Sequence, residues 1–172
     1  PQVARIDAHN GLVSPGAIIQ DAHRPEIASN GSSYLVTYVA AENLSGLVPI
    51  HLEGVEVGAD ARVASAPVLI EQSFSSAAVA SNGRDYVLVW SARGWLWSAV
   101  LRDGILGPRD FIRVNVAYRG PTAFSWSLAS DGEDFLLVWL QNAGFHEGQY
   151  LTELRTSVIS ADGKPGEPRT IG

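Results

Sequence analysis

The chain has no cysteine and no methionine in its 172 residues. Without a thiol there is no disulfide framework, no Cys-based zinc site and no sulfur nucleophile. Without a methionine, and opening on Pro1, the chain reads as a processed product or an excerpt of a longer polypeptide. Lysine is nearly missing too: Lys164 is the single one beside eleven arginines, a bias that reads as codon usage rather than as a binding device. Basic charge is short overall, with a net charge of −6 and a pI near 5.1. A face able to neutralise phosphates is therefore not expected, and nucleic acid is not an expected partner. No apolar run approaches the roughly 20 residues that cross a bilayer, so no membrane span is expected. Sustained i, i+3, i+4, i+7 apolar spacing with helix caps is also missing, which argues against helices.

What the chain does contain is repetition. IASNGSSYLVTY (27–38), VASNGRDYVLVW (79–90) and LASDGEDFLLVW (128–139) align without a gap. Their glycines, Gly31, Gly83 and Gly132, give a period of about 50 residues, in the range of propeller blades and above most helical repeats. A second unit alternates with the first. In it an Asn-Gly or Asp-Gly turn is followed eight positions later by an isoleucine: Gly11 leads to Ile19, Gly104 to Ile112 and Gly163 to Ile171. Gly58 leads to Ile70 through four extra residues. Turns of this composition between β-branched and aromatic runs are hairpin signals, so two hairpins make one repeat and the chain is expected to be all-β.

Tyr86-Val-Leu-Val-Trp90 is continuously apolar. A strand with one wet face alternates, whereas one covered on both faces does not. In radially stacked four-stranded blades each inner strand lies between two neighbours, which yields such a run once per repeat. Tyr86, Leu88 and Trp90 are expected to face one neighbouring blade, and Val87 and Val89 the other.

The pattern resembles the secreted bacterial propeller-like repeats whose consensus runs Pro-x-Val-Ala-x-Asp-Gly-x-x-Tyr-Leu-Val-Val-Trp, followed by an Ile-x-x-x-Arg-Val-x-x-Asp-Gly hairpin. Residues 25–40, 77–92 and 125–141 carry the first half, and residues 3–19, 96–112 and 155–171 the second. Tyr38 replaces the closing Trp, and 113–126 and 141–150 are insertions. The resemblance implies β-propeller-type blades: a half repeat over 1–19, then full repeats over about 20–70, 71–112 and 113–172. It further implies a secreted or cell-surface bacterial protein, and it is nearly silent on activity.

Candidate binding residues follow from loops and rings. Trp95 and Trp97, two apart, share one strand face, and with Arg93 they suggest a stacking shelf assisted by a cation–π contact. The alternative is packing between blades. The insertions carry Tyr118 and Arg119 in one case and His146, Glu147 and Tyr150 in the other, the mixed ring and polar character of a glycan- or peptide-contacting loop. His9, His23, His51 and His146 lack metal-ligand spacing, and Asn30, Asn82, Asp103, Asp131 and Asp162 read as turn residues rather than as calcium loops. No metal or cofactor is expected.

No Gly-x-Ser-x-Gly elbow or Ser-His-Asp order is present. A glycosidase would need a pair of carboxylates, for which Glu26, Glu53, Glu56, Asp60, Asp85, Glu133, Asp134 and Glu147 are available. The favoured expectation is a non-catalytic binding or scaffold module for glycan or protein, and the alternative is a glycosidase-like propeller enzyme. Because three and a half repeats do not close a ring, the missing blades are expected from a second copy or another partner chain.

Overall fold

The computed structural model describes residues 2–6, 13–18, 22–41, 50–72, 74–112, 114, 126–146 and 149–171. The described residues form antiparallel sheets and no helix. A short hairpin, β1 (Gln2–Ile6) with β2 (Val13–Ile18), comes first. A meander of β3 (Ala22–Ser29), β4 (Ser33–Ala41), β5 (Ile50–Gly58) and β6 (Val68–Gln72) makes the first full blade. The second contains β7 (Phe74–Ser81), β8 (Tyr86–Ala92), β9 (Trp95–Arg102), β10 (Ile105–Leu106) and β11 (Asp110–Ile112). β10 and β11 both pair with β9, as two pieces of one outer strand. The third contains β12 (Trp126–Ser130), β13 (Phe135–His146), β14 (Gln149–Ile159) and β15 (Arg169–Ile171).

The same chemistry builds each blade. Between the first and second strands, the side chain of Asn30, Asn82 or Asp131 accepts the backbone N–H groups two and three residues on, at 2.8–3.1 Å. The preceding serine, Ser29, Ser81 or Ser130, accepts the N–H of the following glycine at 3.0–3.1 Å. Each turn thus satisfies its own donors, which is why these residues recur. The interruption of the outer strand also recurs. The N–H groups of Ala64, Gly107 and Gly166 each donate 2.8 Å to the third strand, at Glu56, Val100 and Val158.

The blades stack face to face, and β8 lies between the other two. Tyr86, Leu88 and Trp90 bury themselves with Leu35, Leu52 and Ile70 of the first blade. Val87 and Val89 pack with Phe135, Leu137, Trp139 and Ile159 of the third. Every residue of β8 is buried, as its unbroken apolar pattern requires.

Polar contacts register the stack. The side-chain amide of Asn30 donates to the Arg84 carbonyl of the next blade at 3.4 Å, and that of Asn82 to the Glu133 carbonyl at 3.3 Å. The hydroxyls of Ser33 and Tyr86 meet at 3.0 Å.

The outer turn of the third blade also reaches back. Ser98 Oγ donates to the Gly163 carbonyl at 3.0 Å, and a Cβ on Gly163 would sit 2.8 Å from Val100 Cγ2. Gly104, its counterpart in the second blade, has φ +73 but open space around it. Gly163→Ala combines left-handed strain at φ +84 with that overlap, and should cost about 2–3 kcal/mol. Gly104→Ala meets only the strain and should cost about 1 kcal/mol. Paired urea titrations check the difference, and equal losses would contradict a close blade contact at Gly163.

Candidate functional site

The first candidate surface is built on β9 and its outer neighbour. Ala92 and Trp95 face each other across a two-residue turn, Arg93-Gly94, with φ of 54 and 81. Two successive positive φ values match the twist of the flanking strands and hold the hairpin tight. Period-2 geometry then places Trp95 and Trp97 on one face of β9, together with Ala99 and Leu101. Trp97 is half-buried against the cluster between the first two blades, and its indole N–H donates to the Ala92 carbonyl at 3.3 Å. Trp95 is 48% exposed.

A third ring completes the group. Phe111 is paired with Trp97 across the strands and is 50% exposed. Its centroid lies 6.4 Å from that of Trp95 and 6.3 Å from that of Trp97, both edge to face. Edge-to-face contact lets three rings brace one another while two keep faces open to solvent. Sequence reasoning missed Phe111. Its signal was the spacing from Gly104 to Ile112, which puts Ile112 opposite Leu96 and hence Phe111 opposite Trp97.

Arg93 occupies the exposed turn beside this shelf. The cation–π pair that the structure shows is a different one: the Arg109 guanidinium stands 5.7 Å from the centre of the Trp90 ring. Arg109 also donates to Glu71 Oε2 at 2.9 Å and to the Ile70 carbonyl at 2.6 Å, and Trp90 Nε1 donates to the same Glu71 oxygen at 3.3 Å. That cluster clamps the first blade to the second.

The hairpin candidates are brought together by register. β13 and β14 pair as far as Phe145 with Tyr150 and His146 with Gln149, well beyond the length of β8 and β9. His146 and Tyr150 therefore share the tip of one projecting hairpin, where His146 is exposed. Glu147 lies outside the described residues, as do Tyr118 and Arg119.

Four of the eight carboxylates considered for catalysis have structural partners. Asp85, 1% exposed, accepts Arg102 Nε at 2.8 Å and Nη2 at 2.6 Å, and Arg84 Nε at 2.9 Å. Those hydrogen bonds, that of Arg102 foremost, hold its carboxyl below the ordinary range against the opposing effect of burial. Glu53 accepts the Tyr38 hydroxyl at 2.9 Å, and burial, then this contact, push that phenol well above its usual value. Asp134 accepts the Ala161 N–H at 3.2 Å, and Asp60 accepts the Arg62 N–H at 3.1 Å. Glu26 is placed differently. It lines a groove of about 320 Å³ along the first strands of the three blades, with Ser76, Trp126 and Ser127.

Comparison with known proteins bears on the fold. No protein-family model and no curated protein matches the chain. Among solved structures, a neuraminidase-like protein from A/bat/Guatemala superposes with a TM-score of 0.56 at 12% identity, over 100% of this chain and 47% of its own. A subtype N10 neuraminidase-like protein of A/little yellow-shouldered bat/Guatemala gives 0.52 at 11% identity, over 88% and 44%. The β-propeller domain of the Trilobed protease from Pyrococcus furiosus, described as having an open velcro topology, gives 0.53 at 10% identity, over 99% and 48%. The chain spans less than half the length of each of these structures. With its stacked antiparallel sheets and these likenesses, it is an all-β chain of β-propeller-type blades.

Proposed function

We propose that the chain is a non-catalytic binding module of the secreted bacterial repeat type that its sequence resembles, and that it takes a carbohydrate on the shelf of Trp95, Trp97 and Phe111. One observation carries the reading: Trp95 and Phe111 keep about half their surface in water although they sit on a rigid strand pair beside a fully packed interface. Large rings braced at fixed angles and left open supply stacking area at little entropic cost. Arg93, on the exposed turn beside the shelf, and His146, exposed at the tip of the β13–β14 hairpin, add polar character to the surface. A binding reading also agrees with the carboxylates, since Asp85, Glu53, Asp134 and Asp60 are engaged in turns and inter-strand contacts.

A glycan array followed by titration calorimetry on the best hit tests this. Trp95→Ala and Phe111→Ala should each weaken binding about tenfold or more, the scale of losing one aromatic anchor. Both should leave the unfolding midpoint nearly unchanged, because the truncated rings are half-exposed. Affinity equal to that of the unsubstituted chain in both variants contradicts the shelf as the site. Release of sugar product, abolished by Glu147→Gln or Glu26→Gln, would favour the glycosidase reading instead.

A further inference from the structure

Repetition separates the residues that build a blade from those that do not. When the gapless alignment of 27–38, 79–90 and 128–139 is extended by two residues toward the N-terminus, Glu26 falls on Ala78 and Ser127, and Trp126 on Pro25 and Ala77. A blade therefore needs neither the carboxylate nor the indole. Both line the groove of about 320 Å³ that runs along β3, β7 and β12, as do Ser76 and Ser127. Glu26 shares a face of β3 with Ala28, and Trp126 a face of β12 with Leu128. Ala28 and Leu128 pack against the two clusters on either side of β8, so the carboxylate and the indole approach β7 from opposite sides.

The polar groups of this groove are unspent. Ser81 and Ser130, farther along the same strands, engage their hydroxyls in turns. The hydroxyls of Ser76 and Ser127, the Glu26 carboxylate and the Trp126 indole N–H have no hydrogen-bond or ion-pair partner among the described residues. β7 stands at the end of its sheet, paired with β8 alone, so its other edge carries free N–H and C=O groups. Ser76-Ala77-Ala78 has side chains short enough to leave that edge within reach of a ligand. Glu26 is the one charged side chain among the described residues that line the groove.

We infer that the groove binds a primary ammonium group, carried by an amino sugar or by an alkyl amine of similar size. A neutral ligand that displaced water from Glu26 would leave its charge unpaired, and an anionic one would be repelled. A hard metal ion calls for several oxygen ligands, and no group of three His, Asp or Glu that could hold one occurs among the described residues. An ammonium has three N–H donors and no acceptor, which matches a lining of one carboxylate, two hydroxyls and free edge carbonyls. The Trp126 ring favours a cation as well. The volume is at the small end of ligand sites, which suits a single sugar or a short amine. This groove is separate from the ring shelf on β9 and β11 and does not depend on it.

An NMR titration of the full chain with glucosamine and with putrescine tests the inference, with N-acetylglucosamine as the same ring without the cation. At least one amine should bind saturably and shift the Trp126 indole N–H signal. A response to glucosamine alone identifies an amino sugar, to putrescine alone an alkyl amine, and to both the shared ammonium. Glu26→Gln keeps the shape of an exposed side chain and should weaken that binding about tenfold or more while the rest of the spectrum stays folded. No saturable response to either amine at millimolar concentration overturns the proposal. So does an equal Trp126 response to N-acetylglucosamine, undiminished affinity in Glu26→Gln, or a response confined to Trp95 and Trp97.

Discussion

Trp90→Ala should destabilise the fold by about 3–5 kcal/mol, a large part of the stability of a domain this size. The indole is 0% exposed and fills the space between the first and second blades beside Leu35, Leu52, Ile70, Leu88 and Leu101. Truncation leaves a cavity that two hydrogen-bonded sheets cannot collapse to fill. It also removes the ring under Arg109 and the N–H that Glu71 accepts, which loosens the clamp between blades. The third blade supplies a control. Trp139 is equally buried, at 1% exposed, but its Nε1 has no hydrogen-bond partner. Trp139→Phe should therefore cost less than Trp90→Phe, since only the latter breaks a hydrogen bond. Guanidinium titrations with linear extrapolation measure all three. A Trp90→Ala chain within about 1 kcal/mol of the parent would show that the blades do not share this core.

Asp85→Asn should cost about 2 kcal/mol, less than the roughly 3–5 kcal/mol of breaking a fully buried ion pair, because both arginines reach water. The buried carboxylate ties the turn before β8 to the end of β9 through Arg102, and binds Arg84 as well. The change also has a pH signature. Arg102 first, and then Arg84, lower the folded-state pKa of Asp85 below its ordinary value of 3.8. A carboxyl depressed in the folded state binds fewer protons there than in the unfolded chain, so its stabilisation is complete above the unfolded value. That contribution fades as pH falls below 3.8 toward the folded-state value. Asp131 and Asp162 are lowered too, by backbone N–H groups and by Ser160 respectively, and add to the same acid slope. The parent should therefore lose stability on acidification below about pH 4 more steeply than Asp85→Asn. Identical slopes in the two chains would show that Asp85 is not held by its arginines.

The parts of this fold that were legible in the sequence are the local ones. Ser81-Asn82-Gly83 closes its turn with donors two and three residues away, so its chemistry repeats wherever the turn does. The apolar run at 86–90 follows from what lies on each side of β8, and period-2 geometry alone assigns Tyr86, Leu88 and Trp90 to one blade and Val87 and Val89 to the other. Contacts between distant residues were not legible. The Asn82 amide reaches a carbonyl 51 residues away, and nothing in the turn itself signals that second task. Arg109, in the interruption between β10 and β11, meets Glu71 of the preceding blade by the same long-range logic. The candidate shelf was half legible. Trp95 and Trp97 declare a shared face by their spacing, but Phe111 joins them only through the register of β11 on β9. Burial itself escaped the sequence at β13, because Leu136 and Leu140 are written as covered residues and cover depends on a neighbouring sheet.

A crystal structure of the 172-residue chain decides whether β8 lies between two neighbouring blades. Tyr34–Tyr38, Tyr86–Trp90 and Phe135–Trp139 should lie at equivalent places in successive sheets. Tyr86, Leu88 and Trp90 should pack against Leu35 and Ile70, with Val87 and Val89 against Leu137 and Trp139. A chain in which residues 86–90 pack against one other sheet only, with the odd or the even side chains in water, would contradict this arrangement.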